Sequence, residues 1–467
     1  MRAVIKLLPI LLLLFATKAF SQCDPKTGAG CDPSSDFSGL PIDQLPPGAR
    51  SLGLGGAFAG VADDATAAIA NPAGLTILTA KEFSLHVRNT DSDVDFLDPD
   101  AFDSSVFYEP GQLNKRYSDS ATNVSFASFV LPLDRWVLSA YYINQLNFKS
   151  DQEGGLDTVY DPNFVDTYYN NNAVDSSIDA YGLSAAFRVT DSFSIGLTVQ
   201  YNDFDLSSID DWQVDDFLDN EFDFFTNLGN ATLEEYAAVI VDEWSVSSTI
   251  NDSDNDVTWS LGLMYNLNSN WSFGLVYKDG AEFDVVTMTD ETFVLGCTGS
   301  GVATDECNQF LSPSTQSFNT QLDTKIKVPD LFTFGIGWRP TDTWLVSFDI
   351  NRIGYSDTTP VRTFTQGYGV DINSGTVQLT EDIDDETTFH LGTEKVFVLE
   401  SNNTVSIRAG VFTINDHDGN ATIDSDDTAF TVGMGATFGS QGQFQMDFGA
   451  SFADASNNYI LSGIYRF

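Results

Sequence analysis

Three histidines, His86, His390 and His417, are the only imidazoles in the 467-residue chain. The first two fall on the polar faces of separate alternating segments, and no nucleophile motif such as G-x-S-x-G accompanies them. Isolated histidines in such positions serve as hydrogen-bonded structural groups, so the sequence predicts no enzyme. The acidic run NDHDGNATIDSDD (415–427) resembles a calcium loop, but the sixth position counted from Asp416 is Ala421 rather than the required glycine. It reads as an acidic hairpin loop. Four cysteines form two close pairs, Cys23 with Cys31 and Cys297 with Cys307. In an exported chain this spacing points to two local disulfides by neighbour pairing, one of three possible connectivities. Neither pair has zinc-ligand spacing with a histidine. No metal and no cofactor is expected.

Binding chemistry is better represented. Arg88, Lys278 and Arg408 alternate with Val87, Tyr277 and Ile407, so strand parity places their charges on the face opposite the apolar one. They could meet the carboxylate of an amphipathic ligand or neutralise the adjacent Asp63 and Asp64. The stretch GARSLGLGGAFAGVADDATAAIANPAGL (48–75) is too poor in bulky residues to build a core of its own. Its Leu52, Leu54, Phe58 and Val61 are apolar spacers among glycines, and Asn71-Pro72-Ala73 nearly closes it. Farther on, Thr232 and Glu235 form a capping box. Leu233, Tyr236, Ile240 and Trp244 then share one face of an expected helix. With Trp212, Phe217, Phe222 and Phe225 nearby, that face forms one wall of an apolar capture groove or packs against the neighbouring loop.

These residues need a scaffold, and the compartment comes first. Arg2 and Lys6, an apolar run from Leu7 to Ala16 and small residues at Ala19 and Ser21 make a secretory signal peptide over 1–21. The mature chain then has no run of about 18 apolar residues that could form a spanning helix. Twenty-one basic residues against 67 acidic ones give a formal charge of −46. Such a chain repels nucleic acid. Its acidity fits a heavily hydrated external surface.

Aromatics make up 13% of the residues, and their placement decides the fold class. In FQMDFGASF (444–452) Phe444, Met446, Phe448, Ala450 and Phe452 share one face, while Gln445, Asp447, Gly449 and Ser451 share the other. The same alternation recurs in 257–265, 271–277, 331–338 and 429–438. An apolar, aromatic outer face with Gly, Ser and Thr behind it is the pattern of a membrane-spanning barrel. Tiny turns such as 132–135, 268–270 and 340–342 alternate with long acidic connections at 91–120, 149–175, 207–254, 287–327, 355–385 and 413–426. The fold class expected is all-β, a 14-stranded antiparallel transmembrane β-barrel over 81–467. Its strands are expected near 82–90, 121–131, 136–148, 176–189, 193–206, 255–267, 271–286, 329–339, 343–354, 386–397, 404–412, 427–438, 444–453 and 458–467. A barrel of this size has a lumen too wide for its own side chains to fill. Residues 22–80 are expected to fold into that space as a plug, with short helices in the extracellular loops.

The string GAFAGVADDATAAIANPAGL, with its Asn71-Pro72-Ala73, resembles the hatch of the FadL/TodX family of outer-membrane transporters for long-chain fatty acids and aromatic hydrocarbons. Residues 328–350 and 390–412, the latter with Arg408-Ala409-Gly410, are similar to that family too. The resemblance implies a protein of the Gram-negative outer membrane, surrounded by lipid and monomeric, that passes hydrophobic small molecules. It implies capture between the third and fourth external loops, here 207–254 and 287–327, a deeper apolar pocket, and release by movement of the hatch and an opening in the wall. The family's kinked third strand is not obvious here, because 136–148 contains neither Gly nor Pro, and the position of the exit stays open. Other plugged barrels open with a similar hatch string, so a binding or secretion-accessory role stays open beside transport.

Overall fold

The computed structural model describes residues 45–97, 114–161, 164–215, 240–296, 314–357, 361–366, 376–378, 385–400, 403–414, 427–439, 442–453 and 456–467. The signal peptide, all four cysteines and His417 lie outside them. No described helix is long and apolar enough to cross a membrane. The apolar surface belongs instead to strands.

Six long strands open the sheet: β1 (Glu82–Leu97), β2 (Asn114–Leu133), β3 (Trp136–Asp161), β4 (Phe164–Arg188), β5 (Phe193–Asp215) and β6 (Ile240–Asn266). The next six are β7 (Trp271–Lys278), β8 (Glu282–Gly296), β9 (Ser314–Lys327), β10 (Leu331–Thr341), β11 (Trp344–Ile353) and β12 (Val361–Gln366). After the short β13 (Thr376–Gln378) come β14 (Glu386–Val398), β15 (Thr404–Ile414), β16 (Asp427–Phe438), β17 (Phe444–Phe452) and β18 (Ser456–Arg466). All described pairs are antiparallel, and β18 pairs back onto β1, closing the ring. Fourteen strands make that ring, in the order β1 to β7, β10, β11, then β14 to β18. The hairpin of β8 and β9 stands on top of it, paired on one side with β6 and on the other with β12.

Alternation decides which way each side chain points. Along β16, Phe430 is 64% exposed, Thr431 2% and Met434 60%. The exposed apolar row continues around the ring, for example through Leu183, Val257 and Leu461. Stacked aromatics mark the short-turn end: Trp271 on Trp338 at 5.6 Å, Phe438 on Phe444 at 5.7 Å and Trp136 beside Phe187 at 4.6 Å. Aromatic girdles of this kind belong to the membrane–water boundary.

Three readings of the sequence are corrected. Most of the long connections are strand: 149–161 and 164–175 belong to the β3–β4 hairpin, and 207–215 and 240–254 belong to β5 and β6. The β8–β9 hairpin fills much of 287–327, and β12 and β13 lie within 355–385. These stretches carry no unbroken apolar outward row, so alternation does not announce them, yet their ladders are long, with a register shift at Gln152–Gly155 in the first. Second, the strand expected over 271–286 is broken at Asp279–Ala281, between β7 and β8. Third, the helix expected from Leu233 does not reach its end, since Ile240 and Trp244 lie in β6. There they pair with Gly296 and Phe293 of β8. Cross-strand partners on both sides outweigh a local helical pattern.

Candidate functional site

The interior has two storeys. The lower one is occupied by residues 45–80, which touch the ring on opposite sides. They contain one helical turn at Ala49–Gly53, another at Ala67–Ala70 and a 3-10 turn at Pro72–Ile77. Almost every residue from Ser51 to Thr76 is buried. The wall accommodates this backbone through glycines on its inner face. A Cβ at Gly274 would strike the Ala59 carbonyl, and one at Gly392 would strike that of Leu54. No larger residue permits such an approach.

Polar side chains then fix the segment at several bearings. On β11, Asp349 accepts the backbone N–H groups of Phe58 at 2.8 Å and Ala59 at 2.7 Å. On β14, Glu394 receives the guanidinium of Arg50 at 3.0 and 3.1 Å, and also that of Arg408 at 2.6 Å. Arg408 reaches Asp447 on β17 at 2.8 Å. Arg50 bonds Asp63 as well, and Asp63 meets Arg339 of β10 at 3.2 Å. Burial opposes the charge of Arg50, but Asp63, Glu394 and Asp64 together outweigh it and raise its pKa above the ordinary value. Glu82 of β1 accepts the Ala65 N–H at 3.1 Å and pairs with Arg466 of β18 at 2.8 Å, across the seam that closes the ring.

The Asn-Pro-Ala triplet sits on β6. The Asn71 amide donates to the Ala59 carbonyl at 2.9 Å and to Leu263 of β6 at 3.1 Å, while its oxygen accepts the Ala73 N–H at 3.2 Å. Pro72 starts the 3-10 turn with its fixed φ. Both described histidines are anchors as well. His86 Nδ1 lies 2.6 Å from the Pro47 carbonyl and His390 Nδ1 lies 2.7 Å from that of Gly55. A carbonyl only accepts, so each Nδ1 carries the proton and donates. His390 Nε2 then accepts from the Asn351 amide at 2.9 Å.

The upper storey is apolar. Leu146, Val174, Ile178, Phe204, Leu206, Ile250, Phe283, Val285 and Ile326 form one buried cluster contributed by β3, β4, β5, β6, β8 and β9. Phe204 stacks on Phe283 at 4.8 Å. Between the storeys lies a cavity lined by Ile69, Tyr141, Ile143, Gln200, Thr258 and Lys278.

The three basic residues singled out by parity are all turned inward, but to different ends. Arg88 is buried on β1 and donates to the Asn144 carbonyl at 3.2 Å. Lys278 borders the cavity. Arg408 belongs to the ion network. Asp63 and Asp64 are met by Arg50 and Arg339 instead, with Asp64 also accepting from Thr66 at 2.5 and 2.9 Å. Of the aromatic groove, Trp212 lies on β5 opposite Val246. Phe217, Phe222, Phe225, Leu233 and Tyr236 lie outside the described residues. Sequence reasoning missed Arg50, Asp349 and Glu394. Asp349 and Glu394 are charged residues at inward positions of strands, a signal available from parity.

A family model described as outer membrane protein transport protein (OMPP1/FadL/TodX) matches residues 48–461. The chain belongs to this family. Solved structures of similar fold include a FadL homologue of Pseudomonas aeruginosa, 15% identical, with a TM-score of 0.60 over 91% of this chain and 99% of that one. The toluene transporter TbuX of Ralstonia pickettii is 16% identical, with a TM-score of 0.58 over 90% and 98% of the two chains. The toluene transporter TodX of P. putida gives 16% identity and 0.58 over 91% and 99%. No curated protein matches the chain in sequence. Family membership makes this an outer-membrane transport protein.

Proposed function

We propose that this protein passes hydrophobic small molecules, such as monoaromatics or fatty acids, passively across the outer membrane, with residues 45–80 acting as a gated hatch. The observation that carries the reading is the stacking of the two storeys: an apolar cluster above, a cavity beneath it and a polar-anchored segment below. A greasy solute gains roughly 0.8 kcal/mol per CH₂ group when it enters the apolar cluster. Ions and sugars gain nothing there. The tethered segment below closes the aqueous route until its bonds to Asp349, Glu394 and β6 rearrange. Capture between the external hairpins, with Trp212 and Trp244 on β5 and β6, completes the route. Enzymatic chemistry has no part in it.

The test combines two measurements. Planar bilayers containing the purified protein are expected to show little ionic conductance, rising when residues 45–80 are deleted. Cells producing it are expected to take up a labelled hydrophobic compound faster than cells without it. A large open conductance that the deletion leaves unchanged would exclude the reading. Mass spectrometry of molecules co-purified in mild detergent would name the ligand.

A further inference from the structure

Four polar side chains of the cavity form a hydrogen-bonded chain that runs in one direction. The Tyr141 hydroxyl donates to Gln200 Oε1 at 2.8 Å, Gln200 Nε2 donates to Asn202 Oδ1 at 2.6 Å, and Asn202 Nδ2 donates to Thr258 Oγ1 at 3.1 Å. The main chain sets that direction. Asn202 Nδ2 also reaches the Asp256 carbonyl at 3.3 Å, and a carbonyl only accepts. The Asn202 oxygen must then face Gln200, and the Gln200 oxygen must face Tyr141. Tyr141 has given its hydrogen to Gln200, so its oxygen can only accept further. At the other end, Thr258 Oγ1 receives the Asn202 amide and keeps its own hydrogen to donate. The chain therefore presents an acceptor at Tyr141 and a donor at Thr258, and both residues border the cavity. Packing holds the ends in place. The Tyr141 ring lies against the Gly182 backbone, where a Cβ would strike it, and stacks on Phe126 at 6.0 Å. Thr258 is buried on β6.

The storey above carries the same chemistry. Ser176 on β4, Ser208 on β5 and Thr287 on β8 are buried, and their hydroxyls meet no hydrogen-bond partner among the described residues. Ser208 stands opposite Val174 and Ile250, and Thr287 opposite Ile250, within the apolar cluster. A buried hydroxyl left unmatched costs free energy, and a hydrocarbon offers it no bond. A solute hydroxyl both donates and accepts, so it suits these three groups and either end of the chain below.

Charge narrows the class further. Asp279 borders the cavity together with Lys278, and Asp256, Asp330 and Lys327 all act on Asp279 through charge. Three carboxylates against two ammonium groups leave no surplus positive charge for an anionic head group, and a carboxylate placed there is repelled. We propose that the cavity selects neutral, hydroxyl-bearing amphipathic solutes, alcohols or phenols, over plain hydrocarbons and over carboxylates. The inference rests on the transport reading and names the polar group of the solute. A site built to bond a hydroxyl discriminates strongly against the analogue that lacks it, because its own polar groups are then left unpaired.

The test compares three probes built on one ring system: naphthalene, 2-naphthol and 2-naphthoate. Each is titrated at neutral pH into the purified full-length protein in mild detergent, and its Kd is corrected for uptake into empty micelles. 2-Naphthol is expected to bind at least tenfold tighter than either of the others. Thr258→Val and Tyr141→Phe each remove one end of the chain at nearly constant shape. In either variant the preference for 2-naphthol over naphthalene is expected to fall below threefold, with the Kd of naphthalene changed less than twofold. A merely structural role would move both probes alike. Folding of each protein is checked by its heat-dependent shift in electrophoresis. Equal binding of naphthalene and 2-naphthol by the parent would overturn the hydroxyl class and leave transport standing, as would tightest binding of 2-naphthoate. A preference unchanged in both folded variants would overturn the assignment to this chain. If the folded parent bound none of the three, and cells producing it took up none faster than cells lacking it, transport itself would fail and the inference with it.

Discussion

The two storeys of the interior are held by opposite kinds of force. Below, residues 45–80 are fixed by directional bonds: Asp349 to two amides, Glu394 to two arginines, Asn71 to two carbonyls. Above, Phe204, Phe283, Ile250 and their neighbours meet without a charged anchor among them. Directional bonds specify one arrangement, and leaving one of them unmade is costly. Apolar contact is non-directional and can be exchanged for contact with a solute of similar chemistry. The lower storey is therefore suited to hold shut, and the upper one to yield to a ligand. Substitutions in the two storeys should separate these roles.

The largest effect is expected from Arg408→Ala. Its side chain is 2% exposed, and its loss leaves Glu394 and Asp447 as buried carboxylates with fewer counter-charges. Breaking a buried pair from one side costs about 3–5 kcal/mol. The folded protein should lose its heat resistance by a clear margin, and residues 45–80 should become accessible to protease. Second comes Asp349→Ala, which strands two buried amides at about 1–3 kcal/mol each. Here the ring should persist, because its own ladder is untouched, while hydrogen exchange at Phe58 and Ala59 accelerates and small-solute leakage rises. If exchange there stays slow, Asp349 is no anchor and the contrast between the storeys weakens.

Much of the ring was legible because one side of each spanning strand faces lipid. Phe444, Met446 and Phe448 alternate with Gln445 and Asp447, and no other environment writes that pattern so plainly. The upper strands were not legible. Stretches such as 164–177 carry no unbroken apolar row on one side, so period-two alternation fades although the pairing continues. The break at Asp279–Ala281 carries only Gly280 as a marker. Of the lower storey, the small-residue composition of 48–75 pointed to close packing, but its partners did not follow from it. Which strand Arg50 or Asn71 meets depends on how the segment winds across the ring, and that is set by contacts hundreds of residues apart. Parity placed Arg88 and Arg408 inward without showing that Arg408 answers Glu394 and Asp447.

A smaller effect is expected from Asn71→Ala. One side chain closes three bonds, and two of the three stay within the segment itself. Pro72 still fixes the bend and the segment remains tied at Asp349 and Glu394, so about 1–3 kcal/mol is expected to be lost locally. Heat-resistant folding should be normal, with altered uptake of a hydrophobic compound or more leakage. A variant that matches the parent in both assays would reduce the triplet to a turn.

The finest test trims the upper storey by one methylene. Ile250 is 1% exposed and belongs to the apolar cluster, and Ile250→Val in a packed interior costs about 0.5–1.5 kcal/mol. None of the directional anchors below includes this residue, so ionic conductance should stay at the parental level. The small space created lies in the apolar cluster above the cavity, on the route proposed for an apolar solute. Entry of bulky apolar compounds should therefore rise relative to small ones, by a factor of a few. Such a shift in the uptake ratio at constant conductance is what two independently acting storeys predict. If conductance rose along with uptake, the apolar cluster and the tethered segment would form a single gate, and the division drawn between them would fail.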